Sequence, residues 1–296
     1  YRTESGLFWW LTIALTCSPA KQSENEPVSE SDTGVLEMPW VSPEEWGPFP
    51  VSADTIEWVD ERGKEMKAEI WFPALSEEDA DLRPYAPLTL TARAWARLDP
   101  DARFAPYPLV AFSHGFTGIR FQSIFLAEFL ASHGLVVVAP DHKYNTFLDM
   151  NDDHLVSVIL ERPGDIVSAV DEVYRRALSE ADELFGMVQP GTYAMVGHSF
   201  GAFTSLIVGG GQVDMTGAIA RCDAGRGRLC SEIRQISNED VEAHTMNDDR
   251  AVVTVPMSPG IWYAFGPDGL TAPGLEHVRT PLVLAGDLDA VLRYEE

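Results

Sequence analysis

The sequence predicts an α/β protein: a mostly parallel, doubly wound sheet with an N-terminal antiparallel hairpin and a lid-like insertion. Three observations carry this. From residue 108 onward, short continuous apolar runs of strand length alternate with helix-period segments, the pattern of βαβ units. Before them, Thr55–Asp60 and Met66–Phe72 alternate apolar and polar residues around the turn Glu61-Arg62-Gly63, which reads as a hairpin. Third, the apolar run Tyr193–Val196 enters Gly197-His198-Ser199-Phe200-Gly201, and the small-residue run Ala202–Val208 leaves it. That is a strand, a tight turn and a helix.

The chain divides into residues 1–20, a linker over 21–38 and a folded domain over 39–296. Leu7–Cys17 is an 11-residue apolar run with Arg2 before it and a polar stretch behind it. Its length suits a secretory signal and is too short for a bilayer span. Cleavage after Ser18-Pro19-Ala20 would release a soluble protein; Cys17, directly after the run, instead resembles a lipoprotein attachment cysteine. Export is expected on either reading, to the periplasm, a lipid anchor or the exterior, with contact to a membrane only through Cys17.

Residues 73–106 read as irregular, with a short helix near Ala92–Leu98. Pro108–Ser113 is an apolar strand running into His114-Gly115-Phe116-Thr117-Gly118. Phe121–His133 has helical periodicity and stops at Gly134. Leu135–Ala139 is a further buried strand. Arg162–Ala181 is an amphipathic helix with Ile166, Val170 and Val173 on one face. After the elbow comes a polar insertion over about 209–249, then a strand at Ala251–Pro256. A last strand, Pro281–Ala285, ends in Gly286-Asp287-Leu288-Asp289.

Composition narrows the partners. The 21 basic against 46 acidic residues give a net charge of −25, which argues against nucleic acid, because phosphate binding needs clustered cations. Cys222 and Cys230 are able to pair in an oxidising compartment or to stay as free thiols. No Cys-x-x-Cys and no His/Cys cluster with ligand spacing occurs, so neither a metal nor another cofactor is expected.

The serine carries the chemistry. Gly-x-Ser-x-Gly arises by chance in roughly one chain in ten of this length, but the strand before it and the helix behind it give the spacing a mechanical reason. A sharp strand-to-helix turn forces strained angles and close approach, and lifts the serine oxygen clear of the sheet. A serine also needs a base, a group that orients the base, and donors for the oxyanion. The amide of Phe200 opens a helix, and the amide of Phe116 follows a strand where a second donor belongs. His114 reads as structural rather than as a proton carrier.

Together, PLVAFSHGFTG, LASHGLVVVAPDHKYNT, RPGDI, VGHSFGAFT, FGPDGL and PLVLAGDLD resemble the α/β-hydrolase superfamily. They look most like the platelet-activating-factor acetylhydrolase and dienelactone-hydrolase-like serine esterases, over about residues 48–296 apart from the insertion. The resemblance implies Ser199 as nucleophile and the amides of Phe116 and Phe200 as oxyanion hole. It implies Asp289, from a Gly-x-x-Asp pattern, as the acid, with Asp287 as the alternative. Asp223 lies at a comparable distance from the serine but within the insertion. The order in that superfamily is serine, acid, histidine, and none of the seven histidines (114, 133, 142, 154, 198, 244, 277) follows Asp289. The expectation is therefore a fragment that lacks a final strand, the catalytic histidine and a closing helix.

Phe116, Phe121, Phe200, Trp262, Tyr263 and Phe265 are expected to gather near the strand ends and line an apolar pocket. That suits a small-molecule or lipid ester, with a short-acyl phospholipid as the substrate the resemblance implies. Two other readings remain: a non-catalytic binding protein on the same fold, or an acyltransferase or peptidase that uses the same serine.

Overall fold

The computed structural model describes residues 37–75, 81–88, 90–225, 229–244, 247–266, 273–287 and 289. The leader-like segment and nearly all of the linker lie outside these residues. The hairpin forms as read, from β1 (Val51–Val59) and β2 (Glu65–Pro73), antiparallel with Val51 opposite Pro73 and Val59 opposite Glu65. Residues 92–98 are not the expected helix. They hold only the short strand β3 (Trp95–Ala96), parallel to β1, because the buried carboxylate of Glu128 accepts the amides of Arg93 and Ala94 at 3.0 and 3.1 Å.

The centre of the sheet is β4 (Tyr107–Ser113), β5 (Val136–Pro140), β6 (Val188–His198) and β7 (Ala251–Met257). The order is β3-β1-β2-β5-β4-β6-β7, with β5, β4, β6 and β7 mutually parallel. Beyond β7, residues 281–284 run parallel to it, with the Leu282 and Leu284 amides donating to Thr254 O and Pro256 O at 2.8 and 3.0 Å.

Period-2 burial fills both faces of the sheet. Val110, Phe112, Val137 and Ala139 pack on one side with Ile124, Ala127 and Ala131 of α1 (Ile124–Ser132). Leu109, Ala111, Val136 and Val138 pack on the other with Ile166, Ala169, Val170 and Val173 of α2 (Leu155–Ala177). The chain steps outward from β4 to β5 through α1, then back across β4 to β6 through α2. Right-handed crossovers that reverse direction use opposite faces. The direction of winding thus reverses between β4 and β6, and it is at the carboxyl ends of such a pair of strands that these sheets bind ligands.

Helix α3 (Phe200–Val208) follows β6 and packs on α2 and β7. The insertion is helical: α4 (Met215–Asp223), α5 (Cys230–Ile233) and α6 (Asn238–Glu242). Met215, Ala218, Ile233 and Ile236 cover Phe203 and Ile207 of α3 and Ile159 of α2. Cys222 and Cys230 form a disulfide that ties α4 to α5. No helix among the described residues is long and apolar enough to cross a membrane.

Candidate active site

Ser199 sits between the last residue of β6 and the first of α3, at φ 56°, ψ −112°. Non-glycine residues avoid this region, at a cost of about 1–3 kcal/mol, and it persists only where the surroundings over-determine it. Here its amide donates to Met257 O at 2.9 Å, and its carbonyl accepts from Gly260 and Ala202 at 3.0 Å each. Both flanking glycines are sterically required. A Cβ on Gly197 would fall on the carbonyl of Gly201, and one on Gly201 would fall on the carbonyl of Ser113 in β4. Strain is not confined to the elbow. Thr117, Tyr144, Ser258 and Ile261 also have positive φ, and each lies in a loop after β4, β5 or β7 on the same edge of the sheet.

The β4 turn faces the elbow in register, since Ser113 pairs with Gly197. Phe116 is 40% exposed, and its ring lies 6.1 Å from that of Phe200. Phe200 opens α3, so its amide is one of the four without an intrahelical acceptor. The structure thus brings Ser199, Phe116 and Phe200 together at the carboxyl ends of β4 and β6. Asp289 closes a turn by donating its amide to Gly286 O at 3.2 Å, and it is half-buried, whereas Asp287 is exposed. Asp223 is on the surface at the end of α4, paired with Arg234 at 3.0 Å.

The remaining expected aromatics are placed differently. Phe121 belongs to the core on the α1 face. Tyr263 and Phe265 are buried beneath the insertion, with the Phe265 ring 5.6 Å from Phe203, and Trp262 is half-buried under the Arg221 guanidinium. An unbroken aromatic series, Phe116–Phe200–Phe203–Phe265, leads from the surface into that layer.

Among the described residues no histidine ring bonds Ser199. His198 is adjacent in sequence, but its Nδ1 accepts from Gln122 Nε2 at 3.0 Å, because Gln122 Oε1 is already committed to the Gly115 amide at 2.9 Å. The neutral ring then carries its proton on Nε2 and has no lone pair to offer the serine. Burial pushes the His198 pKa down, and the charge of Asp289 opposes that shift. His277 is exposed, and His244 Nδ1 bonds the Asp240 carbonyl at 2.6 Å.

Sequence reasoning missed a buried polar cluster directly behind the site. Arg162 of α2 is wholly enclosed. It donates from Nε to Thr204 Oγ1 at 3.1 Å, from Nη1 to Asn145 Oδ1 at 2.8 Å, and from Nη2 to Ser113 Oγ at 3.0 Å and to His114 O. Burial lowers its pKa to about 9. With Ser113 Oγ accepting from Arg162, its own proton goes to His142 Nε2 at 2.9 Å, and His142 Nδ1–H donates to Asp165 Oδ2 at 3.0 Å. His142 N in turn donates to His114 Nε2 at 3.1 Å, so His114 donates from Nδ1 to Gly115 O at 2.8 Å. Both rings are neutral, and burial holds their pKa values well below the ordinary histidine range. The available signal was Arg162-Pro163-Gly164-Asp165 within an otherwise apolar helix face.

A family model described as platelet-activating factor acetylhydrolase, isoform II, matches residues 83–148. That stretch contains β4, the 114–116 turn, α1 and β5, and it ends before Ser199. No curated protein matches the chain. Among solved structures, the ferulic acid esterase from Streptomyces cinnamoneus is similar at 19% identity and a TM-score of 0.47, over 80% of this chain and 65% of that one. The chain thus spans less than two thirds of the length of that structure. By its sheet order, its strained elbow and the turn facing it, the chain has the α/β-hydrolase fold, and over residues 83–148 it is similar to the platelet-activating factor acetylhydrolases.

Proposed function

We propose that the chain is a serine carboxylic-ester hydrolase acting through an acyl-Ser199 intermediate on short-acyl lipid or other hydrophobic esters. The observation that carries this reading is the elbow itself, a serine held at strained angles at the start of α3, with the turn that carries Phe116 set against it. Ser199 Oγ attacks the ester carbonyl as its proton passes to a general base, a role that no histidine among the described residues is placed to fill. The developing oxyanion is met by the amides of Phe116 and Phe200, and the same base returns the proton to the departing alkoxide. Collapse expels the alcohol, and water releases the acid. Asp289 is the orienting acid, favoured over Asp287 by its partial burial and by its charge acting on the ring of His198. No metal or cofactor is needed for these steps. The exposed Phe116 and the aromatic series behind it support a hydrophobic ester as substrate. The Cys222–Cys230 disulfide supports an exported protein.

The absence of a histidine against Ser199 among the described residues favours one rival, a binding protein that uses the fold without catalysis. Fluorophosphonate labelling of the full-length protein decides between them. The hydrolase reading expects labelling of the wild type and none of Ser199→Ala; equal labelling of both, or none of either, overturns it. Rates on short against long nitrophenyl esters then sort the acyl preference.

A further inference from the structure

We propose that Arg162 and Gln122 are the positioning pair that sets the direction of the Phe116 amide and its spacing from the elbow, an inference that rests on the esterase reading above. Consider two consecutive peptide units. In the His114–Gly115 unit the carbonyl is held by Arg162 Nη2, and the N–H is held by Gln122 Oε1 at 2.9 Å. The plane is fixed at both ends. In the next unit, Gly115 O accepts from His114 Nδ1 at 2.8 Å and from the Gly118 amide at 3.0 Å. A trans peptide points its carbonyl and its N–H to opposite sides. With the carbonyl turned inward onto two donors, the N–H of Phe116 faces the other way, away from the buried cluster.

The same two side chains reach the elbow. Gln122 Nε2 donates to His198 Nδ1 at 3.0 Å. The Arg162 guanidinium lies 4.5 Å over the ring of Phe200 and bonds Thr204 Oγ1, which donates to Phe200 O at 3.2 Å. Each of the two candidate oxyanion amides therefore sits on a piece of backbone held by Arg162, and Gln122 ties the two pieces together. A planar fork with donors in fixed directions is suited to four acceptors at once; an ammonium group is not.

Arg162→Lys and Gln122→Met in the full-length protein test this, with nitrophenyl acetate turnover, fluorophosphonate labelling rate and melting temperature measured for each. Gln122→Met keeps the chain length of the side chain and removes both bonds at a half-buried position, so it carries the test should Arg162→Lys fail to fold. The expected result for a folded variant is a kcat lower by about 10- to 100-fold, the scale of an ångström-level misplacement, with KM within about twofold and labelling slowed in parallel. The double variant should lose less than the product of the single losses, because both side chains act on one peptide unit. Folded variants that keep wild-type kcat, or that change KM alone, overturn the proposal. Those outcomes leave the esterase reading standing, whereas a wild type without Ser199-dependent turnover removes both.

Discussion

Replacing Ser199 by glycine removes the proposed nucleophile and, unlike replacement by alanine, also removes the Cβ that the elbow opposes. At φ 56°, ψ −112° a side chain costs on the order of 1–3 kcal/mol. Alanine retains that cost. Glycine sheds it but gains freedom in the unfolded chain, worth about 1 kcal/mol in the other direction. The balance favours glycine by roughly 1 kcal/mol, or about 2–4 °C in melting temperature for a domain of this size. Both variants should be inactive, so scanning calorimetry compares them on equal terms. At an unstrained site glycine would be the less stable of the two. A Ser199→Gly protein that melts clearly below Ser199→Ala would therefore refute the claim that the elbow stores strain.

Two further outcomes are expected. His114 and His142 are held neutral with depressed pKa values in the fold and titrate near pH 6.5 when unfolded, so the unfolded chain binds more protons as pH falls. Their contribution is complete above about pH 6.5 and is lost below it by about 1.4 kcal/mol per pH unit for each ring. Urea midpoints at pH 7 and 5.5 should show this fall, and a flat profile contradicts the neutral-pair assignment. Cys222 and Cys230 are eight residues apart, and opening so short a loop costs about 2–3 kcal/mol on a chain-entropy account. Melting with and without reductant measures this, and a Cys222→Ser protein as stable as wild type rules it out.

The elbow and the 114–116 turn were legible because their constraints are local. Gly197 is dictated by the carbonyl of Gly201, four residues on, although Gly201 itself answers to Ser113 in β4, and continuous apolar runs mark central strands whatever surrounds them. The helix assigned to residues 92–98 was not recoverable from its own sequence. Its conformation is decided by Glu128, more than thirty positions away, whose carboxylate takes two of its amides. Arg162 was read as the opening of a helix beside Pro163, yet α2 begins at Leu155 and carries Pro163 inside it. That shift of seven residues moves Arg162 from an end to the interior, where its four acceptors come from three separate segments. Nothing in the spacing of residues 113, 114, 145 and 204 indicates that they meet.

Ser113, His142 and Asp165 deserve comparison with Ser199, because their bonds of 2.9 and 3.0 Å are those sought when a reactive serine is identified by distance alone. Yet Ser113 is inert by construction. Its oxygen has a cation on one lone pair, its proton is spent on the imidazole, and no carbonyl carbon is able to approach it through the packed strands around it. On the proposed reading, reactivity follows from what a hydroxyl is denied. The serine with every partner in place serves as mortar, and the half-buried Ser199 has only its backbone, not its hydroxyl, tied to a neighbour among the hydrogen bonds of the described residues.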